Sequence, residues 1–186
     1  MSQCKFVVDD KATVQGTTLF AEGKHACTKE TGVYLPPVHQ GKTDTLNVIL
    51  WLHGYYVTGV KNIFSPSSDY EPTLRQSVLA AKKDVALIAP WLGYRDLKRG
   101  SIGLGALGEG KGCQLYLEQV LTALGDLWGI KNLRIGTLII AGHSAGAYTA
   151  VQAVLRNGLR HRVKAMAALA GPFDFLPLDS PKTMAA

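Results

Sequence analysis

The chain has 186 residues, 47% of them hydrophobic, which is enough to bury the core of one domain. Its formal net charge is +6, and its apolar runs are far shorter than the roughly 20 residues that a membrane span needs. Three cysteines without metal-ligand spacing argue against a disulfide framework and a zinc site. The first residues lack the basic and apolar regions of a signal peptide. We therefore expect a single cytoplasmic domain over residues 1–186, without a membrane span.

The predicted elements alternate between strands and helices from residue 44 onward, which indicates a parallel sheet with helices on its faces. Earlier in the chain, short candidate strands broken by turn residues predict an antiparallel start of the sheet. We expect a three-layer α/β/α sandwich with a mostly parallel sheet. The predicted strands cover residues 5–8, 32–35, 45–52, 85–90, 138–141 and 163–170, and the predicted helices cover 72–83, 113–128 and 147–156.

A glycine-rich segment at residues 98–112 contains the pattern Gly-x-Gly-x-x-Gly at 103–108. In dinucleotide-binding proteins this pattern directly follows a strand and turns into a helix. Here the charged segment 95–99 precedes it, and two further glycines follow before any helix. We therefore expect a flexible loop rather than a nucleotide site.

A basic cluster extends from Arg156 to Lys164. Such a cluster is compatible with nucleic-acid binding, but cations also gather at helix C-termini, where they complement the helix dipole. No aromatic residues that could stack on bases interleave the cluster. The sequence therefore favours no nucleic-acid partner.

Residues 142–146 read Gly-His-Ser-Ala-Gly, which fits the pattern Gly-x-Ser-x-Gly. The pattern follows a predicted strand and opens a predicted helix, as a nucleophile elbow requires. Glycines suit so sharp a turn because backbone meets backbone there, and a β-carbon would clash. Ser144 is therefore the candidate nucleophile, and the alternative is a serine in an ordinary turn.

A second motif, His53-Gly54, follows the predicted strand at 45–52, about 90 residues before Ser144. In this order the two motifs resemble those of the α/β-hydrolase fold family of esterases and lipases, over roughly residues 32–174. The resemblance implies hydrolysis of a small-molecule carboxylic ester through an acyl-serine intermediate. It implies no metal or organic cofactor.

The same resemblance implies an oxyanion hole formed by the backbone amides of Tyr55 and Ala145. Each such donor is worth on the order of 3 kcal/mol in the transition state. Tyr55, Tyr56, Trp91 and Tyr94 follow neighbouring strands, so they could form an aromatic wall for an acyl or aryl group, or be surface aromatics without a ligand. His53 is expected to contact substrate or to order its loop.

The family's catalytic base is a histidine oriented by a carboxylate, and both follow the serine in the chain. His161 is the sole histidine after Ser144, but it lies at the far end of the next predicted helix and is a poor base. Asp174 is the candidate acid, because some lipases of this fold place the acid after the sixth strand. It could instead be a turn residue, and Asp179 is a weaker candidate.

The family's strands seven and eight have no counterpart in this sequence. Three explanations remain open, in decreasing order of preference. The chain is a fragment of a longer hydrolase, it receives its histidine from a second chain, or it is a catalytically incompetent binding module. The strand at 163–170, the family's sixth, would leave a bare edge, which predicts a possible homodimer through that edge.

Overall fold

The computed structural model describes residues 5–9, 15–22, 30–39, 43–64, 74–94, 107, 111–156, 159 and 162–169. Within them the chain forms seven strands and four helices. The strands are β1 (Phe6–Val8), β2 (Thr17–Glu22), β3 (Glu30–Leu35), β4 (Thr45–Leu52), β5 (Ala86–Pro90), β6 (Arg134–His143) and β7 (Val163–Leu169). The helices are α1 (Val60–Phe64), α2 (Leu74–Ala80), α3 (Gly112–Trp128) and α4 (Ala145–Arg156).

All the strands belong to one sheet, in the order β1-β2-β3-β5-β4-β6-β7. The strand pairs β5–β4, β4–β6 and β6–β7 are parallel, whereas β1–β2, β2–β3 and β3–β5 are antiparallel. Strands β2, β4, β5, β6 and β7 therefore run in one direction, and β1 and β3 run in the other. This confirms the predicted mostly parallel sheet with an antiparallel start.

Alternate residues of each strand face opposite sides of the sheet, and β4 shows what covers each side. Val48, Leu50 and Leu52 pack in a core cluster that includes residues of α3 and α4. Trp51 packs in a second cluster with residues of α1 and α2. Helices thus cover both faces, which confirms the three-layer architecture. None of the helices in the described part of the chain has the length and apolar character that crossing a membrane requires.

Two elements were not predicted, namely β2 and α1. Strand β2 carries two threonines and a glutamate among its six residues, so it lacks a long apolar run. Its conformation is stabilised by pairing with β3 along its whole length. Helix α1 has only five residues, which is too short for a helical period to be visible in the sequence.

The predicted flexible loop at 98–112 lies mostly outside the described residues. Leu107, however, has 0% exposure, and its carbonyl oxygen lies 3.7 Å from the Sγ atom of Cys113. At Leu107 the expectation of a loose loop is wrong, because this side chain is part of the core cluster beneath α3 and α4.

The packed face of α3 can be tested with two leucines of that helix. Leu124 has 0% exposure and Leu115 has 46%. We expect Leu124→Ala to lower the free energy of unfolding by about 2–5 kcal/mol, because it removes buried methyl groups and leaves a cavity. The matched variant Leu115→Ala should change it by no more than about 0.5 kcal/mol. Urea unfolding measures both, and equal losses would contradict this orientation of α3.

Candidate active site

Ser144 lies at the sharp turn between β6 and α4, as the sequence predicted. Its φ angle is +54°, in the left-handed region that costs a non-glycine residue conformational energy. Its side chain is partly exposed, and its amide donates a hydrogen bond to the carbonyl oxygen of Leu169, at 2.9 Å. The turn is thus strained at Ser144, while its assignment as a nucleophile elbow and the chemical role of Ser144 stay predictions.

The two glycines of the motif are required by close backbone contacts. A β-carbon at residue 146 would overlap the carbonyl oxygen of Leu52, at the end of β4. A β-carbon at residue 142 would overlap the carbonyl oxygen of Gly146 itself. The start of α4 therefore sits directly on the end of the neighbouring strand, which only glycine permits.

The loop after β4 lies against the candidate nucleophile. A β-carbon on Gly54 would be 3.4 Å from the β-carbon of Ser144. Strands β4 and β6 are parallel neighbours, with Leu52 opposite Gly142, so both loops leave the same edge of the sheet. Ala145 begins α4, where the first backbone amides have no acceptor within the helix. The convergence of the Tyr55 and Ala145 amides on one oxyanion stays a prediction.

His53 does not face the candidate site. Its side chain has 0% exposure, its Nδ1 lies 2.6 Å from the Gly54 carbonyl oxygen, and its Nε2 accepts a hydrogen bond from the Leu92 amide at 2.8 Å. Since a carbonyl only accepts and an amide only donates, Nδ1 carries the proton and the ring is neutral. Burial lowers the pKa of His53 to about 4. The expected substrate contact is corrected, and His53 orders the loop instead.

The aromatic residues divide between the two faces of the sheet. Tyr56 is 64% exposed and meets the Tyr55 ring edge-on, with centroids 5.5 Å apart. Tyr55 in turn packs against the core cluster of α3 and α4. Trp91, by contrast, packs against the cluster of α1 and α2. The predicted wall is therefore corrected, because Tyr55 and Tyr56 lie together and Trp91 does not join them.

The arrangement was compared with known proteins. No protein-family model and no curated protein matches the sequence. Among solved structures, the rice cell wall degrading esterase LipA from Xanthomonas oryzae is 15% identical with a TM-score of 0.56, over 86% of this chain and 44% of that one. A ferulic acid esterase from Anaeromyces mucronatus is 15% identical with a TM-score of 0.52, over 92% of this chain and 66% of that one. The chain has the α/β-hydrolase fold.

The chain spans less than two thirds of the length of the structures that it matches. Of the α/β-hydrolase residues that the sequence predicted, the structure brings Tyr55, Tyr56 and Ala145 to the same edge of the sheet as Ser144. Asp174, Asp179 and His161 lie outside the described residues. Their roles as acid or base stay predictions.

Glu30 lies beside the candidate site and was not predicted from the sequence. Its carboxylate accepts a hydrogen bond from the amide of Val60 at 2.8 Å, at the end of the loop that contains Tyr55. Its carbonyl oxygen accepts one from the amide of Trp91 at 3.0 Å. Glu30 therefore joins the loops after β4 and β5. No local pattern could have found it, because both partners are distant in sequence.

The buried neutral His53 predicts a stability that depends on pH. Its pKa is about 4 when folded, against an ordinary value of 6.5 when unfolded. Between these values the unfolded chain binds the extra proton. His53 therefore makes its full contribution to the free energy of unfolding above about pH 6.5. As the pH falls toward 4, this free energy decreases by about 3 kcal/mol at most.

We expect His53→Gln, which does not titrate, to remove this part of the pH dependence. Urea unfolding of both proteins between pH 4 and 7 measures the difference. An NMR titration of the unmodified protein checks the same point without a variant, since the ring should stay neutral down to about pH 4. A ring that gains its proton near pH 6.5 would contradict the assignment.

Proposed function

We propose that the chain is a serine hydrolase that cleaves carboxylic esters through an acyl-enzyme intermediate on Ser144. The observation that carries the proposal is the contact between two loops. Ser144 is held at a positive φ angle, and Gly54 lies so close that a β-carbon added to it would be 3.4 Å from the Ser144 β-carbon. A strained, partly exposed serine next to a second loop end is the arrangement that acyl transfer needs.

The proposed reaction begins with attack of the Ser144 Oγ atom on the ester carbonyl carbon. The carbonyl oxygen becomes an oxyanion, which the backbone amides of Tyr55 and Ala145 stabilise. Collapse of this intermediate breaks the bond to the alcohol, which departs with the proton that left Ser144, and the acyl group stays on Ser144. Water then attacks the acyl-enzyme, releases the acid and returns a proton to Ser144. Esterase structures with this fold support the reaction class in general.

The base that takes the proton from Ser144 is not assigned. His53 is not available, because both of its ring nitrogens already bond to the backbone. Asp174 is proposed as the carboxylate that orients a histidine. The histidine itself comes from another part of the chain, from a longer protein or from a second copy pairing along β7. The competing function is a binding module without catalysis. It is favoured by the same observation, that both ring nitrogens of His53 bond to the backbone and leave no base there.

The proposal is tested by reactivity at Ser144. An oxyanion hole without a base still accelerates the reaction by roughly 10³–10⁴ over water, whereas loss of a triad costs on the order of 10⁶. We therefore expect the 186-residue chain to hydrolyse a short p-nitrophenyl ester barely above background and to label slowly with a fluorophosphonate. Ser144→Ala should abolish the labelling and leave the residual hydrolysis unchanged, because that residual does not need the serine hydroxyl. The exposed α2 variant Ser77→Ala should change neither.

Labelling that survives in Ser144→Ala would contradict the proposal, and a folded chain that never labels would favour the binding module. Rapid turnover that is lost in Ser144→Ala would support a base within the chain or in a second copy. A specific activity that rises with protein concentration identifies the second copy as its source.

The exposed ring of Tyr56 predicts a preference for aromatic acyl groups. Edge-to-face contact with a substrate ring is worth about 0.5–1.5 kcal/mol, so Tyr56→Ala should raise the KM of a p-nitrophenyl benzoate about 2- to 10-fold. The KM of the acetate should stay unchanged, and Tyr56→Phe should behave like the unmodified protein. A rise that is equal for both esters would contradict a role in recognition.

A further inference from the structure

Tyr94 is a buried side chain that the proposed reaction does not use directly. It follows β5, has 2% exposure, and its hydroxyl lies 2.7 Å from the Oγ1 atom of Thr149 in α4. The sequence predicted that Tyr94 belongs to an aromatic wall for an acyl or aryl group or is a surface aromatic, and its burial against α4 contradicts both. The hydroxyl is thus a buried polar group, and such groups are normally hydrogen-bonded.

The hydrogen bonds of this hydroxyl have a defined direction. The Oγ1 atom of Thr149 donates to the carbonyl oxygen of Ala145 at 3.2 Å. A threonine hydroxyl has a single proton, so Tyr94 must donate to Thr149. Burial raises the pKa of Tyr94, so it remains a donor at neutral pH. The result is a directed chain from Tyr94 through Thr149 to Ala145, in which each bond strengthens the next.

The ring of Tyr94 contacts the other loop of the candidate site. It stacks on the Tyr55 ring, with centroids 6.1 Å apart and planes at 26°. It also meets the His53 ring edge-on at 5.6 Å. His53 in turn holds the carbonyl oxygen of Gly54 and the amide of Leu92. One side chain therefore touches the loop after β4 with its ring and, through the Thr149 hydroxyl, is linked to the first turn of α4.

We propose that Tyr94 is a positioning residue that fixes the two amide donors of the oxyanion hole relative to each other, through ring contact with Tyr55 and through Thr149 to Ala145. The inference rests on the proposed esterase function. Oxyanion stabilisation depends on donors that are already in place before charge develops, and a small misplacement costs much of the rate. Tyr94 touches no reacting atom.

The experiment removes each hydroxyl while keeping its side-chain shape, with Tyr94→Phe, Thr149→Val and the double variant. We expect each single variant to slow phosphonylation of Ser144 by about 10-fold, and the double variant to slow it no further, because both hydroxyls act through one chain. The ³¹P chemical shift of phosphonylated Ser144 should change in all three variants, since it reports hydrogen bonds to the phosphonyl oxygen. Thr149→Ser, which keeps the hydroxyl, should restore both values.

Tyr34→Phe is the matched control. Tyr34 has 0% exposure, and its hydroxyl donates to the carbonyl oxygen of Gln15 at 2.7 Å, but it packs in the core cluster of α1 and α2. It should lose stability like Tyr94→Phe without changing the labelling rate or the ³¹P shift. If Tyr94→Phe and Thr149→Val also lose only stability, Tyr94 is an ordinary core residue and the proposal is overturned.

Amide hydrogen exchange separates this proposal from the proposed function. We call the link from the Tyr55 ring through Tyr94 and Thr149 to Ala145 the brace. Its loss should speed amide exchange at Tyr55 and Ala145 by about 2- to 10-fold, which is the effect of one hydrogen bond. This readout does not need a reactive serine. An unreactive Ser144 with faster exchange at both amides would reject the esterase function and keep the brace. Unchanged exchange with normal labelling would reject the brace alone. If Tyr94→Phe does not fold, Thr149→Val gives the same result.

Discussion

The start of α4 is pressed against the end of β4, and the spacing of the whole candidate site depends on this backbone contact. The carbonyl oxygen of Leu52 occupies the space that any side chain at residue 146 would need, and the carbonyl oxygen of Gly146 does the same for residue 142. Because no side chain separates helix from strand, Ser144 is brought next to Gly54. The approach of the candidate nucleophile to the loop after β4 is therefore set first by this contact between main-chain atoms.

The turn at Ser144 is strained, and the surrounding structure offsets that strain. A non-glycine residue in the left-handed region costs on the order of 1–3 kcal/mol. The amide of Ser144 bonds to Leu169 in the edge strand β7, which fixes the turn from the other side. The helix that follows buries Ala147, Ala150 and Ala153 almost completely, and these small side chains let it lie close to the sheet. The strain at Ser144 is thus offset by the hydrogen bond to Leu169 and by the close packing of α4 on the sheet.

Three buried or half-buried residues join the loops after β4 and β5, two of them through the backbone and Tyr94 through ring contacts with His53 and Tyr55. His53 bonds to Gly54 and to Leu92, Glu30 bonds to Val60 and to the amide of residue 91, and Tyr94 reaches α4. A neutral imidazole suits this role, because burial penalises its charged form and leaves one donor and one acceptor for two backbone groups. For a reaction that depends on preorganised amides, the loops that carry those amides are the parts that need such support.

The sequence by itself determined the elements with strong local patterns. The apolar run of β4, the helical period of α3 and the glycines around Ser144 all depend on near neighbours, so the parallel half of the sheet and the sharp turn between β6 and α4 could be predicted. Only the tertiary structure decided the rest. Strand β2 is stabilised by pairing with β3, and Trp91 lies on the opposite face from Tyr55. The burial of His53 and the bond from Tyr94 to a residue 55 positions away depend on contacts between distant segments, which no local pattern encodes.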